Sequence, residues 1–309
     1  MKTYLTFLFM IQIACVLAND INTEISQQIS AIRAGSFPKY RALEPYISKD
    51  PGVVLEALAP YRTDASDNVR QWTYEQYDLI LMFHEKPKEM RRDIVLLLID
   101  GISDPCSFIR NDCVDYLTEC KRQDFTPLAI EQFSNLFNSR VWFSKEFVLL
   151  AGFIGNVSCL TTLRELANSS IPGQRRLIWH ANLALARMGD SKAEEWCLKQ
   201  IDRIGINDDV TSDLLPGLIY TRQIHTFEFL IQVLNSDEKL CASSNPESDE
   251  SILCGYRVME YLAPVIKGYP LKQLPSGDID TNDYHKALLT TRDWFAKKKG
   301  GFEILTDSF

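Results

Sequence analysis

The sequence predicts an all-α fold: a right-handed α-solenoid of about five or six helical hairpins, closed by an N-terminal and a C-terminal capping helix. Three observations carry this. First, the segments FVLLAGFIGNVSCLTTLREL (147–166), ANLALARMGDSKAEEWCLKQ (181–200) and LPGLIYTRQIHTFEFLIQVL (215–234) align at a fixed offset of 34 residues. Each is an apolar run, a short polar break and a second apolar run. The breaks fall at Gly155-Asn156, Gly189-Asp190 and Gln223-Ile224, and Leu163, Cys197 and Ile231 share one equivalent position. A period of this size marks stacked supersecondary units. Second, helix pairs upstream show an Asp six residues before an Arg twice, Asp64 to Arg70 and Asp104 to Arg110. Third, amphipathic segments flank the periodic region on both sides, where a solenoid needs its end faces covered.

Taken in order, residues 1–18 read as a secretory signal peptide. Lys2 precedes an apolar run from Tyr4 to Leu17, and Val16-Leu17-Ala18 forms an A-x-A-like site before Asn19. The run falls short of the roughly 20 residues that a spanning helix requires, so no transmembrane span is expected. Ile13-Ala14-Cys15 resembles the end of a bacterial lipoprotein cleavage box, which would put a lipid anchor on Cys15, although Gln12 stands where that box usually has Leu. Loss of residues 1–18 moves the formal charge from −8 to −9. That is a poor match to nucleic acid, where affinity comes from basic side chains neutralising phosphates.

Residues 19–50 form the N-terminal capping segment. Ile21, Ile25, Ile29 and Ile32 recur at helical spacing and Gly35 ends the helix. The hairpins occupy 51–266, pairing 51–61 with 64–83, 87–102 with 104–120, 126–137 with 141–155, 157–167 with 172–189, and 192–201 with 209–222. The segment 224–234 pairs with a delayed second helix at 251–266. Pro216 predicts a kink or a late helix start. The acidic, Ser-rich loop 236–250 interrupts the last pair and is longer than ordinary helix connections. Residues 267–283 read as an extended connection, and 284–298 as the C-terminal capping helix.

Seven cysteines remain after Cys15. Cys241 and Cys254 bracket the polar loop, and closing such a loop is the physical use of a disulfide, so these two are expected to pair. Cys159 and Cys197 fall on apolar helix faces, where free Cys acts as a small hydrophobe. Cys106, Cys113 and Cys120 recur every seven residues without CxxC or a neighbouring His, so no metal is expected there.

Helix hairpins of 34 to 40 residues with D-x5-R entering the second helix resemble HEAT repeats. The resemblance implies that Asp64, Arg70, Asp104 and Arg110 belong to a structural ladder joining neighbouring repeats. The pattern departs at Arg176, where the residue six earlier is Ser170, and at the hairpin around Arg140, which has no matching Asp.

For chemistry the sequence offers little. His84, His180, His225 and His285 fall on different hairpins, and HExxH, GxSxG, GxxxxGK[ST] and GxGxxG do not occur. Acid pairs such as Glu194-Glu195 read as a solvated face. The expected function is a non-catalytic scaffold binding a protein or peptide in the periplasm or outside the cell, with no cofactor. The second helices of a solenoid line one continuous surface, and Arg and Trp, the types enriched in binding hot spots, cluster near their starts. Trp142, Arg175, Trp179 and His180 are the partner-binding candidates. The alternatives are a helical-repeat enzyme or accessory, of the architecture seen in some glycosylases and bilin lyases, and a self-associating envelope protein. The sequons at Asn156 and Asn168 matter only in a glycosylating host.

Overall fold

A computed structural model describes residues 19–39, 41–82, 87–139, 142–243 and 249–309. The signal-peptide reading, Cys15, His84 and Arg140 lie outside the described residues. The described chain is mostly helical, with one two-residue hairpin as its only named sheet. It divides into two compact units, 1–136 and 137–309. No helix among the described residues is long and apolar enough to cross a membrane.

In the first unit, α1 runs over residues 19–33 and buries Ile21, Ile25, Ile29 and Ile32, the stripe its spacing implies. After the short α2 (Glu44–Ile47), α3 (Pro51–Leu58) opens on Pro51, whose missing N–H costs nothing at a first helical position. The Asp50 carboxylate caps it, accepting from the Gly52 and Val53 amides. Then come α4 (Asp67–Met82), α5 (Lys88–Gly101), α6 (Ser107–Thr118) and α7 (Pro127–Asn138), inside which the division between units falls. The second helices of the first two hairpins, α4 and α6, pack on each other, and α5 packs on both.

Arginines tie these hairpins together. Arg70 donates to both carboxylate oxygens of Asp104, from Nε at 2.7 Å and from Nη2 at 2.8 Å, and to the Asp64 carbonyl from Nη1 at 2.8 Å. Both members of the pair are buried. Asp64 accepts from Arg33 at 2.6 Å and from the Ser66 amide, and Asp104 accepts from the Cys106 amide, so each carboxylate also caps the start of a second helix. Arg110 donates to the Asp104 and Pro105 carbonyls. The Asp six residues before an Arg therefore meets that Arg through its carbonyl, while its carboxylate meets an Arg of an earlier element, Arg33 of α1 for Asp64 and Arg70 of the preceding hairpin for Asp104. A further link, Arg91 to Asp124 at 2.8 Å, has no D-x5-R signature.

The second unit contains α8 (Lys145–Ile154), α9 (Leu160–Ala167), α10 (Arg175–Arg187), α11 (Ser191–Ile204), α12 (Leu215–Thr221), α13 (Ile224–Asn235), α14 (Gly255–Leu262) and α15 (Tyr284–Lys298). The second helices form a row in which α8 packs on α10, α10 on α12 and α12 on α14. The 34-residue offset is a repeated tight turn. Gly155, Gly189 and Arg222 are left-handed, with φ of 73°, 91° and 56°, and each precedes an extended residue. The third turn comes one residue early. The buried positions eight residues beyond are Leu163, Cys197 and Leu230, so Leu230 replaces Ile231 in the alignment, and Ile231 is half-exposed.

Two more expectations need correction. Glu194 is buried, not solvated: it accepts from the Thr226 amide at 3.2 Å and sits 3.5 Å from His225 Nδ1. Its charge faces the start of α13, where the helix dipole favours an anion. The last second helix starts at Gly255, not 251, because β2 (Ser251–Ile252) pairs antiparallel with β1 (Cys241–Ala242). The Cys241–Cys254 disulfide closes this hairpin. Pro216 removes a helical donor, and a π-helical turn, Val210–Leu214, precedes α12.

Breaking one side of the Arg70–Asp104 pair leaves a buried charge, at a cost of about 3–5 kcal/mol. Asp104→Ala should destabilise by that order in urea unfolding. Arg70→Met with Asp104→Leu should cost less than either single change. Equal or additive losses would show that the pair is not coupled. In α8 a methyl on Gly152 would lie 2.6 Å from the Ala184 Cα. Gly152→Ala should therefore lower the unfolding free energy by about 1–3 kcal/mol, despite the better helix propensity of Ala.

Candidate functional site

The row α8–α10–α12 is held close by small residues. Gly152 on α8 touches Ala184 of α10, and Gly217 on α12 faces Leu183, whose Cδ1 would be 2.6 Å from an added methyl. Tyr220 of α12 donates its hydroxyl to the Leu149 carbonyl of α8, joining the row's first and third helices. Large side chains of the same helices surround a cavity of about 620 Å3. Its walls include Leu149, Trp179, His180, Leu183, Tyr220 and Tyr261, and the segment 273–278 and Phe309 close it. A concave, mainly apolar space with a few polar groups and a volume of this order is the usual form of a ligand site.

Groups of both signs border it: Lys145, Glu146 and His180 on the α8–α10 side, and Asp213, Arg222, Glu260 and Asp278 on the α12–α14 side. Burial, reinforced by Lys145 and Arg176, pushes the His180 imidazole down to about 4. It is therefore neutral at physiological pH and acts as a hydrogen-bonding group. Burial raises the Glu260 carboxyl, and the hydrogen bond from Tyr284 Oη at 2.7 Å partly opposes this. The α10 rim begins with exposed Arg175 and Arg176 and no acid in its first turn. Two cations there oppose the helix dipole, each at a cost of a few tenths of a kcal/mol or more.

Of the four sequence candidates, the structure brings Trp179 and His180 together in the cavity wall. The Trp179 ring also lies 6.1 Å from that of Trp196. Arg175 is exposed at the first turn of α10 and is not among the residues that line the cavity. Trp142 does not reach the cavity: its ring stacks on Phe147 at 4.9 Å within a cluster that includes Phe137 and Phe143. Sequence reasoning missed Arg187 and Arg222. Arg222 is buried in a left-handed conformation and donates to the carbonyls of Ile219, Leu305 and Phe309. Burial and the neighbouring Arg187 lower its guanidinium to about 9, so it stays charged at neutral pH. The alignment held a clue: two of the three repeated turns carry Gly, and the third demands the same backbone of an arginine.

Residues 302–309 lie against this face as a strap with a bend at Asp307. The Leu305 amide donates to the Val265 carbonyl at 2.8 Å, and Ile304 bridges Ile266. Arg187 donates to the carbonyls of Tyr220, Thr306 and Ser308. Its guanidinium lies 5.4 Å from the Phe153 ring centre and 5.1 Å from that of Tyr220. The Phe309 ring completes the cluster, 5.8 Å from Phe153 and 5.3 Å from Tyr220.

Because His180 titrates at 6.5 when unfolded and near 4 when folded, the unfolded chain binds the extra proton between those values. Stability conferred by the neutral imidazole is complete above pH 6.5 and declines as pH falls toward 4. In thermal melts from pH 7 to pH 4, the wild type should lose stability relative to His180→Gln. Parallel curves would mean that His180 titrates normally.

Comparison of the chain with protein-family models, with curated proteins and with solved structures gives no match, so the HEAT resemblance rests on the residues that carry it.

Proposed function

We propose that the chain is a HEAT-like, right-handed α-solenoid protein, exported through residues 1–18, that binds a protein or peptide without catalysing a reaction. The observation that carries this reading is the cavity on the second-helix row, with Trp179 and His180 in its wall. Two features support the repeat architecture: second helices pack in succession within each unit, and arginines link consecutive hairpins. The Cys241–Cys254 disulfide is compatible with export into an oxidising compartment.

The cavity's chemistry suits a peptide. Trp179 and Tyr261 offer aromatic surface with a polar tip, the residue character that dominates binding hot spots. Charged groups of both signs along the cavity offer a bound chain complementary partners.

The test is capture of partners from source-cell envelope or secretome by the mature protein, Trp179→Ala and Arg175→Ala, each checked for fold. Trp179→Ala should weaken the partner's affinity on the order of tenfold or more. Arg175→Ala should mainly slow association and reduce its salt dependence. A folded Trp179→Ala protein that retains every partner at full affinity would refute the cavity as the binding site.

A further inference from the structure

The strap 302–309 is itself a peptide held against the second-helix row, and how it is held indicates what else the face accepts. None of residues 301–309 is buried; Phe302, Ile304 and Phe309 are half-buried and the rest exposed. Apolar burial therefore contributes little to keeping it in place, and segments of this kind open at low free-energy cost. At 302–303 side chains hold it, Phe302 against Phe227 and Phe295 and Glu303 paired with Lys267. Over 305–309 the hold is main-chain recognition, with Arg187 and Arg222 taking the main-chain oxygens of Leu305, Thr306, Ser308 and Phe309. Contacts to carbonyls do not depend on the identity of the side chains. Only one side chain of 305–309 enters a shaped place, the Phe309 ring between Phe153 and Tyr220. Main-chain bonds for affinity and one side-chain pocket for selectivity are the two parts of extended-peptide recognition.

The same ring forms part of the wall of the Trp179 cavity. A peptide placed where the strap lies would thus run directly into the space read above as the binding site. The machinery on the protein's side costs something to keep. Arg222 is buried in a left-handed conformation that disfavours side-chain-bearing residues. Arg187 is stacked over two aromatic rings, an arrangement that pre-orients a guanidinium. Arg187 is the last residue of α10, and Arg222 sits in the tight turn between α12 and α13.

We propose that the face formed by Phe153, Tyr220, Arg187 and Arg222 docks an extended peptide segment of a partner protein, with an aromatic side chain in the place of Phe309 and the strap as its internal competitor. This rests on the peptide-binding reading of the cavity and names the partner's chemistry. Because the strap is tethered, it competes at an effective concentration in the millimolar range. A free peptide must therefore bind weakly until the strap is loosened.

The test uses the full chain and a fluorescent peptide of residues 303–309, Glu-Ile-Leu-Thr-Asp-Ser-Phe, with free and with amidated ends, followed by anisotropy. The peptide should bind the Phe309→Ala protein at least tenfold more tightly than wild type. A peptide with its final Phe replaced by Ala should lose that binding. Phe309→Leu, which keeps an apolar side chain but no ring, should fall between the two proteins and serves if the Ala variant does not fold. Equal affinity for wild type and folded variants, or no binding to any of them, overturns the proposal. Partner capture that still depends on Trp179 in that case would leave the cavity reading standing and remove the strap from it.

Discussion

At the crossing of α8 and α10 there is no room for a methyl group on Gly152, and the second unit's functional geometry follows from that. Backbones this close can be reached only with Gly or Ala at the contact, which accounts for Gly152, Ala181, Ala184 and Gly217 along an otherwise bulky row. Leu183, next to Ala184 in α10, and Trp179 and His180 one turn earlier line the cavity. The close packing lets the Tyr220 hydroxyl reach from α12 to the Leu149 carbonyl of α8, placing its ring beside Phe153 and under Arg187. The platform on which the strap rests is a consequence of small residues one layer below it.

In the first unit, arginine plays the part that close packing plays in the second. Arg70 with Asp104 and Arg91 with Asp124 each span one hairpin step, at separations of 34 and 33 residues. Buried ion pairs of this kind give little net stability over an apolar pair of equal volume, and where they matter it is through registration. Here each carboxylate has a second duty. Asp104 receives the Cys106 amide at the start of α6, and Asp124 receives the Lys121 amide at the turn before α7. One carboxylate thus sets where a hairpin begins and which arginine of the previous hairpin it meets. That coupling makes a one-residue slip costly.

The helices were legible because their signals are local. The Ile stripe of α1, Pro51 after Asp50, and the Gly-Asn and Gly-Asp breaks each act within one turn of chain, and the hairpin boundaries followed from them. Where the reading failed, a distant partner decided. Ile231 was aligned by a strict offset, but Arg222 takes the left-handed turn one residue early because its guanidinium is held by Leu305 and Phe309, more than eighty residues on. Glu194 looked solvated until the start of α13 was placed over it. Half of the candidate site was readable: Trp179 and His180 share a helix turn. Trp142 was misplaced because an aromatic cluster with Phe147 satisfies it locally. The walls supplied by 273–278 and Phe309 come from segments without periodicity, so no offset could have brought them to α10.

The two cavity-lining groups His180 and Glu260 are shifted in opposite senses. A general base works best with a pKa near the operating pH and a partner to orient it. His180 is driven away from that range by burial and by two cations, with no carboxylate among the influences on it. Glu260 is displaced in the opposite sense, at the other end of the space, and its hydrogen bond goes to Tyr284, outward from the cavity wall. What remains is a neutral imidazole, two tyrosine rings and an indole around an elongated cleft, flanked by arginines that already hold the strap by its main-chain oxygens. In the peptide-docking reading proposed above, a ligand that uses all of these at once is a peptide chain that offers main-chain oxygens to the arginines and an aromatic side chain in the place of Phe309.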